Sequence, residues 1–236
     1  VTNHVTTALN DTAAFDWFPL FLSLKVAGFA TLLALLLGVG LGWVFARKRF
    51  VGRSLFEAIL VLPMVLPPTV VGYAILVTAG RNSLLGGWLN HYFNYTIIFH
   101  WQGAVVASAV VAFPLVFKSA IAAFQGVDGV LEAASTTLGQ SPFSTFLRVS
   151  LPLAWPGILA GTMLAFARAM GEFGASLMVA GSIPGRTETL SMAIYNATQA
   201  GNDARALALV MVTCVLSVAV LFLSNHFLNR SALLRR

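Results

Sequence analysis

Arg168 and Glu172 are the residues whose types and spacing most invite chemistry, and they lie deep in an apolar run, about 152–180. A spacing of four places both on one helix face. Ionisable side chains at such depth face a bundle interior or a water-filled cavity. Two readings stand side by side. In one the pair compensates itself and holds the helix in place. In the other Arg168 borders a pathway and lowers the barrier for an anion, while Glu172 stops it from becoming a trap. Exchanging the two charges is expected to spare an isolated pair and to disturb a pathway arginine. Gly171 and Gly174 flank Glu172 and suit close helix approach. Pro63, Pro67 and Pro68 interrupt another apolar run and remove backbone donors. A broken helix at membrane depth is tolerated where protein or a cavity supplies partners, so Pro67 and Pro68 join Arg168, Gly171 and Glu172 as pathway or gate candidates.

Nothing else in the chain supports catalysis. There is no glycine-rich phosphate loop ending in Gly-Lys-Ser/Thr, so ATP is not bound in that way. His4, His91, His100 and His226 are scattered without metal-ligand spacing. No Ser/His/Asp or Cys/His arrangement is present. Cys214 is the single cysteine and excludes a disulfide framework. The Asn-x-Thr triplets at Asn10, Asn94 and Asn196 are of a kind common by chance.

The stretch 127–152, VDGVLEAASTTLGQSPFSTFLRVSLP, has an internal design. Asp128 is a good N-cap, and 130–138 reads as a short helix. Gly139 follows where the chain must leave it in a left-handed conformation. Ser141 caps a second helix with Pro142 at its first position. That helix is expected to end near Val149, before Pro152 opens the next apolar run. Such a helix, glycine turn and helix makes a rigid lever for another protein to grip.

These parts sit in a chain that is 58% hydrophobic and 9% charged, against about 25% charged in soluble domains. It is read as an all-α integral membrane protein. About five transmembrane helices are expected, near 18–46, 54–79, 102–124, 152–180 and 206–224, each long enough for a hydrocarbon core of ~30 Å. Lys25 snorkels from the first. Residues 1–17 read as an outer-side tail, 80–101 as an outer loop with an aromatic belt, and 181–205 as an outer segment with a short helix capped by Thr187 or Thr189. Of 14 Lys and Arg, nine fall on the side of 47–53, 128–150 and the C-terminus, and three (Arg81, Arg186, Arg205) in the opposite loops. The positive-inside rule makes the first side cytoplasmic, with the N-terminus outside and the C-terminus inside. It also accounts for the net charge of +6 without nucleic acid. An odd span count argues against inverted-repeat transporters.

Glu132-Ala133-Ala134, then Gly139, then Leu151-Pro152 resembles the EAA motif of ABC-importer permeases. The likeness extends over about 22–223: LPMVLPPTVVGY (62–73), Gly126-Val127-Asp128, Thr137-Leu138-Gly139 and LAFARAMGEFG (164–174) are similar to the molybdate ABC-transporter permeases. Length and span count fit that group better than the sulfate/thiosulfate permeases; tungstate permeases are also similar. The resemblance implies a type I ABC-importer permease fold over 1–236 as one transmembrane domain, in a bacterial inner membrane. It implies that Glu132, Ala133, Ala134 and Gly139 form the cytoplasmic coupling helix that docks on an ATPase subunit. The partners it implies are a second copy of the chain, two ATP-binding subunits that carry ATP and Mg, a periplasmic oxyanion-binding protein, and lipid. No cofactor is expected in this chain. A stand-alone channel or secondary transporter is the competing class, and it leaves the 128–152 construction unexplained.

Overall fold

A computed structural model describes residues 16–81 and 83–233. The outer tail, with His4 and Asn10, lies outside the described residues up to position 15, as do Arg235 and Arg236. Among the described residues the chain is helical, without a strand. In order come α1 (Phe18–Arg47), α2 (Arg53–Val65), α3 (Pro68–Ala79), α4 (Leu84–Phe93), α5 (Trp101–Gln125), α6 (Gly129–Thr137), α7 (Pro142–Met170), α8 (Gly174–Ala180), α9 (Leu190–Gln199) and α10 (Asp203–Leu233). Helix α4 occupies nearly half of what reads in the sequence as an outer loop. Ser83 explains its start, since its hydroxyl accepts from Gly86 N.

Prolines break the second span. A residue preceding proline is pushed out of the helical region. Leu66 and Pro67 both precede one, and both are extended (ψ 146° and 137°). The chain therefore bends by 114° between helices α2 and α3. Pro63 stays inside α2, and Pro68 occupies the first position of α3, where no N–H is needed.

Small residues set the packing of the long helices. A Cβ at Gly38 would lie 2.9 Å from Val116 Cγ1, and one at Gly42 2.6 Å from the Ala120 Cβ. Positions advance together, so α1 and α5 run parallel. On a neighbouring face of α5, Gly157 abuts Ala123 and Gly161 abuts Ser119, so α7 runs antiparallel to it. Parallel α1 and α5 require the intervening chain to return to its starting end, and among the described residues the bent pair α2–α3 can provide that return. With the four long apolar helices it makes up to five crossings. Helix α5 is the centre, with 61% of its most apolar stretch buried, against 6% for α10. Lys25 does not only snorkel: its Nζ sits 3.7 Å over the Trp101 ring, at the shared starting end of α1 and α5.

Two expected boundaries change. The helix after Ser141 does not stop near Val149. Pro142–Thr145, a π turn at Phe146–Ser150 and Leu151–Met170 form one continuous 29-residue helix; Leu151 N donates to Phe146 O across the π turn, and Pro152 follows in the first turn beyond it. Conversely the span expected over 152–180 ends at Met170, breaks at 171–173 and resumes as α8.

Candidate functional site

One candidate site is the hairpin at the end where α1 finishes. Asp128 Oδ1 accepts from Val130 N at 2.9 Å and starts α6. Its end is a complete glycine cap: Gly139 N donates to Thr136 O (3.0 Å), Gln140 N donates to Ser135 O (3.2 Å), and Gly139 has φ +81°. Ser141 Oγ accepts from Ser144 N at 3.2 Å and starts α7. The Ser135 and Thr145 hydroxyls, 2.9 Å apart, tie α6 to α7.

Glu132 does not point outward with the rest of its motif. Its Oε1 takes a 2.7 Å ion pair from Arg47 Nη2 and a 2.5 Å hydrogen bond from Ser150 Oγ. Ala133 and Ala134 are exposed, and so are Val130, Leu131, Leu138 and Phe143. The hairpin thus presents an apolar tip on a frame held by its own polar groups. Sequence reasoning missed Arg47 and Ser150. Arg47 is one of a basic cluster that topology alone accounts for, and nothing local marks it as different from Lys48 or Arg49.

The second site lies at the break between α7 and α8. Arg168 Nη1 and Glu172 Oε2 are 2.8 Å apart, as the spacing of four suggests. Their exposures differ: 37% for the Arg168 side chain and 1% for that of Glu172. Glu172 Oε1 also accepts from Ala175 N at 2.9 Å, capping α8. Glu172 is therefore tied to α8 as well as to Arg168, and exchanging the two charges would also remove the acceptor for that N–H. Within the chain a Cβ at Gly171 would meet only Ala167 O and Arg168 O, at 3.9 and 4.0 Å. Gly174 makes a close approach, since a Cβ there would come 3.0 Å from Pro68 Cβ. Gly72 is tighter still, with Met178 Cβ at 2.7 Å and the Ala175 backbone at 3.0 Å. A cavity of about 260 Å³, lined by Pro63, Pro68, Val111, Leu115 and Arg168 among others, brings the proline break and the arginine together. Pro67 is exposed and does not line it.

The segment after α8 folds back onto the bundle. Thr187 Oγ1 accepts from Ile183 N and donates to Gly181 O, so it braces a turn and does not cap α9. Thr189 precedes α9 but makes no side-chain cap; Leu190 N donates instead to Ser23 Oγ of α1 at 2.7 Å. Buried Glu188 accepts from Asn196 Nδ2 at 2.6 Å.

Residues 34–232 match the family described as the binding-protein-dependent transport system inner membrane component. The chain belongs to this family. It is 42% identical over 211 residues to the molybdenum transport system permease protein ModB of Escherichia coli strain K12, covering 89% of this chain and 92% of that one. It is 44% identical over 211 residues to the putative molybdenum transport system permease protein YvgM of Bacillus subtilis strain 168, covering 89% and 93%. In fold it is similar to a bacterial alginate ABC transporter solved with an alginate-bound periplasmic protein (TM-score 0.70, 14% identity, 97% of this chain and 87% of that one). The permease fold and multi-pass membrane character expected from the sequence are therefore established.

Proposed function

We propose that this chain is the permease subunit of an ATP-driven importer for molybdate, working as a pair of copies with two cytoplasmic ATPase subunits and an external oxyanion-binding protein. The observation that carries the substrate is identity of 42–44% across nearly the whole length to permeases named for molybdenum transport. The chain hydrolyses no ATP itself; nucleotide and Mg belong to the partner. The hairpin end is cytoplasmic, which puts the N-terminus outside and the C-terminus inside.

The geometry supports a mechanical role. The apolar tip at Val130, Leu131, Leu138 and Phe143 docks on the ATPase. Helix α7 then runs without interruption from the hairpin to Met170, about 43 Å at 1.5 Å per residue. Its far end is the Gly171 break beside Arg168, Glu172 and the proline bend of α2–α3. A displacement of the tip therefore reaches a polar, interrupted place in the membrane-spanning region, where an oxyanion path can open and close. Pro68, Arg168 and Glu172 are the gate residues of this reading; Pro67 serves by bending the chain, and Gly171 by ending α7.

Reconstitution into liposomes with the ATPase subunit and the binding protein tests this. Labelled molybdate should enter only with ATP and all three components. Uptake without the ATPase would make the chain a channel or secondary transporter. Stronger competition by sulfate than by unlabelled molybdate would reassign the substrate, and equal competition by tungstate would widen it.

A further inference from the structure

Glu132 stands in the motif that the docking reading assigns to the ATPase contact, yet its carboxylate faces its own chain. A single oxygen, Oε1, receives both Arg47 Nη2 at 2.7 Å and Ser150 Oγ at 2.5 Å. Arg47 is the last residue of α1, and its Nη2 also reaches Val127 O at 3.4 Å, just ahead of the α6 cap. Ser150 ends the π turn of α7 and is buried (1%). The paired side chains keep only 25% and 20% of their exposure, so water and salt screen the pair less than a surface one.

From this geometry we infer that Glu132 is a positioning residue, a clasp that fixes the coupling helix α6 to the inner ends of α1 and α7, and that Arg47 is its working partner. Chain connectivity and the Ser135–Thr145 pair already join α6 to α7. Nothing in the chain path joins α6 to α1, which lies more than eighty residues earlier; the Arg47 contacts supply that link. Helices α1 and α7 pack on neighbouring faces of α5 through their glycine contacts, and they touch each other. With the clasp closed, a tilt of α6 moves the inner ends of both helices together. With it open, the tilt acts on α7 directly and reaches α1 only through the packing between them. Docking then falls to the exposed apolar residues, and Glu132 governs how docking is transmitted.

This inference rests on the permease reading, and its test separates the two. The complex is reconstituted with its ATPase subunit and binding protein, with molybdate as the transported anion. Arg47→Met, Glu132→Gln and the double variant are compared for co-purification of the ATPase subunit, basal hydrolysis and the stimulated-to-basal ratio. Each single variant should cut the ratio several-fold while co-purification and basal hydrolysis stay at the wild-type level. The double variant should be no worse than the worse single one, because both remove one interaction. Arg47→Lys, which keeps the charge, should restore part of the ratio. Wild-type coupling in Arg47→Met, or a double effect equal to the product of the singles, overturns the clasp. Loss of the ATPase subunit in Glu132→Gln but not in Arg47→Met makes Glu132 a docking contact instead. If the wild-type complex shows no molybdate stimulation, the functional reading fails and the clasp is read independently. Spin labels at positions 48 and 134, in a Cys214→Ala background, should give a narrow distance distribution that broadens in Arg47→Met; an unchanged distribution overturns it.

Discussion

Removing either member of the Arg168–Glu172 pair should cost unequal amounts, and the inequality follows from exposure. Arg168→Met leaves a carboxylate whose side chain is 1% exposed, with Ala175 N as its only remaining partner among the contacts described. Stripping the counter-ion from a buried pair costs about 3–5 kcal/mol. Glu172→Gln keeps an oxygen for Ala175 N and leaves a guanidinium that is 37% exposed beside a cavity of about 260 Å³. Water can reach that group, so the cost falls to about 1–2 kcal/mol, in the range of a lost charged hydrogen bond. The difference, about 2 kcal/mol, corresponds to roughly 4–8 °C in Tm for a chain of this size. Thermal unfolding of the detergent-solubilised protein, followed by the fluorescence of its five Trp, measures it. The double variant Arg168→Met/Glu172→Gln should be at least as stable as Arg168→Met, since a neutral pair buries no unpaired charge. A larger loss for Glu172→Gln, or additive losses in the double variant, would refute the assignment of the carboxylate as the buried partner.

Other expectations concern packing and docking. Gly161→Val drives a Cβ into Ser119 across the α5–α7 contact and should cost about 1–3 kcal/mol by overpacking, read as a lower Tm. Gly139→Val forces a left-handed residue (φ +81°) at a cost of about 1–2 kcal/mol; stimulated ATPase activity should fall while membrane insertion does not. Leu138→Asp with Phe143→Asp charges the apolar tip and should reduce recovery of the ATPase subunit at least about tenfold, the effect of ~1.4 kcal/mol, measured by co-purification. Ser23→Ala orphans the buried Leu190 N–H and should cost about 1–3 kcal/mol, visible as faster hydrogen exchange in α9. Cysteines at Pro184 and Arg186, exposed in the outer segment, should crosslink to the binding protein in the assembled complex; failure at both would remove that surface from the docking site.

Much of the hairpin was legible because its signals are local. Asp128, Gly139, Ser141 and Pro142 each act on the backbone within a few residues, and each does in the structure what its type dictates. Where local rules were extended too far, neighbours overrode them. Pro152 reads as a boundary, yet the π turn carries the helix through it. Glu172 reads as a helix-face residue, yet it caps the next helix across a break. Gly72, which the sequence does not single out for packing, makes the tightest glycine approach between α3 and α8, against Met178 and Ala175.

The sequence by itself determined the class and the caps of the 128–145 hairpin, and it set the expected span count and sidedness, because hydropathy, charge asymmetry and capping depend on residues within one turn or one span. Only the tertiary structure decided which way Glu132 faces, how unequally Arg168 and Glu172 are buried, and that the 128–145 hairpin and the polar break share one helix. Those are contacts between residues far apart in the chain, such as Arg47 with Glu132 or Gly72 with Met178. They depend on the packing of α1, α3, α5, α7 and α8, which no local pattern encodes.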